Sequence, residues 1–167
     1  MDCVIRIIAV VVVAATITVP ILLRMTNSDE KHDQPTFEEQ LCLDAVLEEE
    51  NECKIAGVWK NQYSSYIRLT CSNGFIVGRY FSGDVNAGFY ELAGRYQLPD
   101  DQTCILGWII AYENELYGNS NSTTSFSGIH YQEEEMIRTH WLQTHNHPRD
   151  SLWKTTTINH DDYTKVC

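Results

Sequence analysis

The chain has 167 residues, of which 43% are hydrophobic, and a formal net charge of −11 at pH 7. This length allows one ordinary globular domain with additional segments. The acidic balance argues against nucleic acid and anionic membrane surfaces as partners, because phosphate groups are bound by clustered Lys and Arg side chains.

The N-terminal stretch, residues 4–23, is almost continuously apolar, with Arg6 and Pro20 as interruptions. A secretory apolar region usually has ~7–15 residues and a membrane span ~20, so this stretch falls between the two classes. We interpret residues 1–24 as a secretion signal, with an uncleaved signal anchor at a membrane as the alternative. Either interpretation places the rest of the chain outside the cytoplasm, in an oxidising compartment.

Residues 25–52 are polar and acidic and are predicted to form a linker. Within this linker, Phe37, Leu41 and Val46 have loosely helical spacing among many acids. This pattern indicates a short amphipathic helix or an acidic stalk whose charges face water.

From Cys53 onward, short β-rich runs alternate with turn signals at intervals of about ten residues. The predicted runs are 54–61, 66–71, 75–82, 89–96, 104–112, 123–131, 136–143 and 152–164. Many short strands with regular turns are typical of a sandwich or an up-and-down barrel. Eight is the number of strands at which a barrel holds one small ligand.

One face of the predicted sheet can be assembled from these runs, because alternate residues of a strand point to the same side. It carries aromatic and hydrogen-bonding side chains together: Trp59, Trp108, Tyr112, Phe126 and Trp141, with Asn61, Tyr80, Ser82, Thr124 and Asp161. Any one of these residues alone is typical of ordinary core packing. As a set they indicate a small-molecule pocket, because burying the polar groups unpaired would cost ~1–3 kcal/mol each.

The six cysteines include no C-x-x-C pair, which favours disulfides over a zinc site. Cys3 lies in the N-terminal segment 1–24, so five cysteines remain outside it, and one of these is expected to be free or bonded between chains. Three histidines near a strand end, His140, His145 and His147, are interpreted as solvated rather than metal-ligating.

A catalytic triad can be written from Ser82, His160 and Asp161, but the pattern argues against it. His160 and Asp161 are adjacent on one predicted strand, so their side chains face opposite sides of the sheet. We therefore predict that the protein is not an enzyme.

Eight segments of the chain, in collinear order, resemble the avidin and streptavidin family of biotin-binding proteins. They are GVWKNQYSS at 57–65, GRYFS at 78–82, the Asn86-Ala87 loop, LAGRY at 92–96, ILGWIIAY at 105–112, STTSFSG at 122–128, THWL at 139–142 and SLWKTTTINHDDYTK at 151–165. Each segment alone is a weak signal, and a G-x-W start also opens lipocalins, but the ordered set is specific. The resemblance implies that residues 53–167 form an eight-stranded antiparallel up-and-down barrel that binds biotin in its open end.

The resemblance also implies how the ureido group of biotin is held. Its oxygen would accept hydrogen bonds from Asn61, Ser65 and Tyr80, an arrangement that polarises the carbonyl. One ureido N–H would be donated to Asp161 and the other to the Ser82 hydroxyl.

The remainder of biotin is implied to contact a second group of side chains. The Thr124 hydroxyl would meet the thioether sulfur, and Asn86 and Ser122 would meet the valerate carboxylate. Three residues would form the wall around the rings: Tyr112, Phe126 and Trp141. Trp153 resembles the family tryptophan that covers a neighbouring subunit's ligand, which implies a homotetramer or at least a dimer.

The chain departs from the family at several positions. Tyr112 stands where the family has a tryptophan, and Gln143 replaces an apolar residue near the ligand, so part of the cavity is expected to be polar. Asn121 begins an N-glycosylation sequon that the resemblance places in a loop over the entrance.

The family's disulfide partner for Cys53 has no counterpart, since His130 lies near that position. We favour a Cys71–Cys104 bond, because both residues would lie at the end of the barrel away from the ligand. A Cys53–Cys167 bond is the second possibility, since the first and last strands adjoin.

The sequence thus predicts a secreted barrel that binds biotin without chemistry and sequesters the vitamin. The alternative is an extracellular oligomerisation module whose biotin binding is weakened by Tyr112 and Gln143. A lipocalin-type carrier is the third possibility, but it leaves Asn61, Ser65 and Asp161 together unexplained.

Overall fold

In a computed structural model of the chain, residues 35–46, 53–83, 88–116 and 118–167 are described. The predicted signal at 1–24, the first part of the linker and Asn86 lie outside the described residues. Within the described ranges, no helix is both long enough and apolar enough to cross a membrane.

The barrel domain consists of eight antiparallel strands. They are β1 Gly57–Asn61, β2 Tyr66–Ser72, β3 Phe75–Phe81, β4 Phe89–Gln97, β5 Thr103–Asn114, β6 Gly118–Tyr131, β7 Met136–His145 and β8 Thr156–Lys165. Each strand pairs with its neighbours in sequence, and β1 pairs with β8 to close the barrel. The predicted fold class is confirmed, and the sandwich alternative is wrong.

The inside of the barrel follows the predicted alternation most clearly in β5. Leu106, Trp108 and Ile110 are buried, whereas Ile105 and Ile109 between them are exposed on the outer face. The inward residues of the strands form one continuous core that runs from β1 to β8. Burial of this apolar surface is the main force that stabilises the barrel.

Three predicted strand boundaries are wrong. The sixth strand begins at Gly118 rather than residue 123. The first strand begins at Gly57 rather than residue 54, because Ile55 lies in a turn where its carbonyl oxygen accepts a hydrogen bond from Trp59 Nε1 at 2.8 Å. The last strand begins at Thr156 rather than residue 152, because Arg149–Lys154 forms a 3₁₀ helix after Pro148. Proline favours such a helix start, since its φ angle is already fixed.

The glycosylation sequon has a different setting from the one expected. Asn121 lies within β6 rather than in a loop, in a left-handed conformation with φ 52°. Asparagine tolerates this conformation better than most residues do. The Asn121 side chain is exposed on the barrel surface.

The helix predicted within the acidic linker is present as α1, Phe37–Val46. Its start is a capping box: Thr36 Oγ1 accepts from the Glu39 N–H at 3.3 Å, and the Glu39 carboxylate accepts from the Thr36 N–H at 2.7 Å. The helix packs on the outside of the barrel, where Phe37 meets Tyr66 and Phe81 edge to face.

Two disulfides join Cys42 to Cys167 and Cys53 to Cys71, and Cys104 is a free, buried thiol. Both predicted pairings, Cys71–Cys104 and Cys53–Cys167, are therefore wrong. Residues 53–56 precede β1, which pairs with β2, so Cys53 reaches Cys71 directly. The chain end runs alongside β1 toward α1, and this brings Cys167 to Cys42 rather than to Cys53. The expectation of one unpaired cysteine outside the apolar stretch is met by Cys104.

Candidate ligand-binding site

A cavity of about 160 Å³ opens at the barrel end where β1, β5 and β7 finish. Its walls combine aromatic rings with hydroxyl, amide and carboxylate groups. The lining residues are Asn61, Tyr63, Ser65, Tyr80, Tyr112, Thr124, Phe126, Trp141, Gln143 and Asp161. An aromatic wall with a few convergent polar groups is typical of small-molecule sites.

Asn61 is the organising residue of one side of the cavity. Its Oδ1 accepts the backbone N–H groups of Tyr63 at 3.0 Å and Ser65 at 2.8 Å, which fixes the turn that leaves β1. Its Nδ2 donates to Asp161 Oδ2 at 2.8 Å. Because an amide nitrogen carries two hydrogens, one Nδ2–H is left for another acceptor.

Asp161 is a buried carboxylate on β8 that is held by three donors. Oδ2 accepts from Asn61 Nδ2 and from the Tyr163 hydroxyl at 3.1 Å, and Oδ1 accepts from Trp141 Nε1 at 3.0 Å. A carboxylate can accept about four hydrogen bonds. Oδ1 therefore has capacity for one more donor.

Ser65 and Tyr80 complete this side of the cavity. The Tyr80 hydroxyl donates to Ser65 Oγ at 3.1 Å, so the Ser65 hydroxyl hydrogen is available to another acceptor. Burial raises the pKa of Tyr80 above its ordinary value, so the phenol stays protonated at neutral pH and into the alkaline range. The pKa values of Tyr112 and Tyr163 are also raised, chiefly by burial, so all three phenols are donors.

The opposite side of the cavity is formed by β5, β6 and β7. Thr124 is buried, and its hydroxyl donates to the Tyr112 hydroxyl at 3.1 Å. Gln143 lies directly across from Thr124 in the strand register. Phe126 is the apolar part of this wall and stacks on Trp108 with ring centroids 5.0 Å apart.

Most residues predicted for the site line this single cavity. They are Asn61, Ser65, Tyr80, Tyr112, Thr124, Phe126, Trp141 and Asp161. Ser82 follows the end of β3, is half-buried and is not among the lining residues. Ser122 is buried with its hydroxyl 2.6 Å from that of Ser120, and it is not among the lining residues. Trp153 lies in the 3₁₀ helix, and 79% of its surface is exposed.

Gln143, which the sequence analysis placed near the ligand, also lines the cavity. Two further contributors were not predicted at all. Tyr163 is fully buried below Asp161, and Tyr63 lines the entrance. Strand parity places Tyr163 on the Asp161 face, so alternation alone was a sufficient signal for it. Tyr63 belongs to a turn, where strand parity does not apply.

The described residues contain no cluster of three or more His, Cys, Asp or Glu side chains able to hold a metal ion. The cavity instead offers directional hydrogen bonds from neutral groups around one carboxylate. Such an arrangement suits a neutral ligand that carries both a carbonyl acceptor and N–H donors.

The comparison with known protein families agrees with this fold and cavity. A model of the Avidin family matches residues 49–166, which is more than half of the chain and includes all eight strands. This match confirms the resemblance seen in the sequence. The chain belongs to the Avidin family.

Proposed function

We propose that the protein binds biotin non-covalently in the cavity at the open end of the barrel. The observation that carries this proposal is the bond between Asn61 Nδ2 and Asp161 Oδ2. It joins an amide from the first strand and a carboxylate from the last strand into one buried pair. Asn61 has one N–H left to donate, and Asp161 can accept one more hydrogen bond. A cyclic urea presents the complementary groups, a carbonyl oxygen beside N–H groups.

The donors for the ureido oxygen are the second Nδ2–H of Asn61 and the Ser65 hydroxyl. Tyr80 supports this pair, because its hydroxyl already contacts Ser65 and can turn toward the ligand oxygen. Preorganised donors of this kind lose little free energy to reorganisation when the ligand binds.

The acceptor for one ureido N–H is Asp161 Oδ1, which has only Trp141 as a donor. The Trp141 ring is thereby fixed against the cavity, where it and Phe126 provide apolar contact for the fused rings. The second N–H is assigned to Ser82 through the family resemblance. The carboxylate contacts of Asn86 and Ser122 are proposed on the same basis.

The proposed role is sequestration of the vitamin rather than conversion of it. The groups around Asp161 are all hydrogen-bond donors, an arrangement that holds a ligand and does not activate a nucleophile. The two disulfides favour an oxidising, extracellular location. The predicted secretion signal leads to the same location.

We also propose that the barrel forms a homo-oligomer, a dimer or a tetramer, through the outer face of β5–β8. In the strand register, Ile109 pairs with Ser125, which pairs with Leu142, and Leu142 pairs with Ile158. The three exposed apolar side chains of this row are Ile109, Leu142 and Ile158. Ile158 is 70% exposed, which is unusual for a large apolar residue on a rigid strand. This face also supports the second candidate function, an oligomerisation module with weak biotin binding.

Calorimetric titration of the full chain with biotin tests the function, with biotin methyl ester as the companion ligand. We expect saturable binding of one biotin per chain with a dissociation constant below micromolar. A weaker interaction with the ester would measure the contribution of the carboxylate contacts. Absence of heat and of any thermal shift, together with sedimentation as an oligomer, would favour the oligomerisation module instead.

A further inference from the structure

A continuous polar stripe crosses the cavity wall on three adjacent strands. It consists of Tyr112 on β5, Thr124 on β6 and Gln143 on β7. Thr124 joins the other two, since its hydroxyl contacts Tyr112 and its Cα is the register partner of Gln143. An apolar ligand surface would be poorly matched to this stripe.

The stripe presents donors that have no protein acceptor within the described part of the chain. The Tyr112 hydroxyl accepts from Thr124, so its own hydrogen is left to point elsewhere. The Gln143 amide lines the cavity and makes no hydrogen bond to a described residue. Water can satisfy both groups in the open cavity, but a bound ligand displaces that water.

The position of the stripe determines which part of the ligand meets it. Asn61, Ser65 and Tyr80 lie on or next to β1–β3, and Asp161 lies on β8, which adjoins β1. The stripe lies on β5–β7, which are opposite β1–β3 in the closed strand order. Its Tyr112 ring also meets the Tyr80 ring edge to face, with centroids 5.9 Å apart. In biotin the ring sulfur is at the opposite end of the fused rings from the ureido carbonyl, so the sulfur faces the stripe.

The geometry points to a preference for ligands that carry an oxygen acceptor on the ring sulfur, and we propose that the S-oxide of biotin is such a ligand. This inference rests on the proposed function. A thioether is a weak hydrogen-bond acceptor, so biotin would cover the Tyr112 and Gln143 donors without replacing their water. A sulfoxide oxygen is a strong acceptor and would receive one or both of them, which avoids the cost of unsatisfied buried donors.

Competition titration of the full wild-type chain with biotin and with each of the two S-oxide epimers tests the preference. We expect one epimer to bind at least as tightly as biotin. The double variant Tyr112→Phe/Gln143→Leu removes the donors while keeping the approximate shape of the wall. In this variant we expect the ratio of the S-oxide dissociation constant to that of biotin to rise about tenfold or more, as two hydrogen bonds would give.

The single variant Gln143→Leu is a second test in case the double variant fails to fold, because it leaves the Tyr112–Thr124 hydrogen bond in place. We expect it to raise the same ratio by a smaller factor, about two- to tenfold. A wild-type chain that binds biotin more tightly than both epimers would overturn the inference and leave the proposed function intact. An unchanged ratio in the double variant would do the same. Failure of biotin and both epimers to bind would overturn the proposed function itself.

Discussion

The two faces of strands β1–β3 have opposite chemistry. On the inner face, Asn61, Ser65 and Tyr80 hold a hydrogen-bonded network that opens into the cavity. On the outer face, Val58 and Tyr66 are buried under α1 in a largely apolar contact. Charged groups remain at its rim, where Lys60 Nζ lies 2.7 Å from a carboxylate oxygen of Glu38.

This difference separates the residues that bind a ligand from those that stabilise the fold. The polar groups of the inner face can still donate or accept further hydrogen bonds. The contact with α1 is instead stabilised by burial and by the Cys42–Cys167 disulfide. Substitutions on the inner face should therefore change affinity, and substitutions under α1 should change the free energy of unfolding. The following variants test that separation.

The largest effect is expected for Asp161→Ala on the inner face. Loss of the buried carboxylate removes the acceptor for a ligand N–H and leaves its neighbours without a partner, so biotin binding should weaken by ~2–5 kcal/mol. Calorimetric titration measures the change, with a thermal melt to verify folding. Asp162→Ala is the matched control, because Asp162 is the next residue on β8 and faces outward. A change of less than a few-fold in affinity for Asp161→Ala would contradict the proposed ureido contacts.

On the α1 side, Leu41→Ala should lower the free energy of unfolding by ~2–4 kcal/mol. Leu41 is 4% exposed, and truncation of a buried leucine leaves a cavity. Leu43→Ala is the control, since Leu43 is 57% exposed on the same helix and should change stability by no more than about 0.5 kcal/mol. Urea unfolding compares the two variants. If Leu41→Ala weakened biotin binding while leaving stability unchanged, the separation of the two faces would be wrong.

The inner face of the barrel could be predicted from the sequence better than the outer face, because it depends on local alternation rather than on packing between distant segments. Strand parity and turn spacing are local, so the barrel and the inner positions of Thr124 and Asp161 could be read from the sequence. The outer face of β2 could not, because burial of Arg68 beside Leu69 breaks the alternation once α1 covers it. The Cys42–Cys167 bond was not predicted for the same reason, because it depends on α1 packing against the outside of the barrel. The start of the last strand was predicted too early, at residue 152, because the 3₁₀ helix after Pro148 resembles an extended run in composition.

The buried phenol of Tyr163 should make the inner network sensitive to alkaline pH. Its pKa is raised chiefly by burial and then by the Asp161 charge. Below about pH 10 the phenol is protonated in both states; above it, the unfolded chain ionises while the folded chain keeps its proton. Stability should then fall by up to ~1.4 kcal/mol per pH unit for this group.

Urea unfolding at pH 8 and pH 11 tests this effect in Tyr163→Phe. The variant loses the hydrogen bond to Asp161 and should be less stable at pH 8, but its further loss at pH 11 should be smaller than that of the wild type by about 1 kcal/mol. Tyr131→Phe is the control, since Tyr131 is exposed. Equal alkaline losses in all three proteins would show that Tyr163 ionises as readily in the folded state as in the unfolded state.

The smallest effect is expected at the start of α1. Thr36→Ala removes the side-chain acceptor for the Glu39 N–H and should lower the free energy of unfolding by about 1 kcal/mol. Thr36→Ser keeps the hydroxyl and should restore most of that stability, which distinguishes capping from a simple loss of contact area. Biotin affinity should stay within twofold of wild type in both variants, because α1 touches only the outer face. A parallel loss of affinity would mean that the two faces of β1–β3 are coupled, and that α1 supports the cavity through the strands between them.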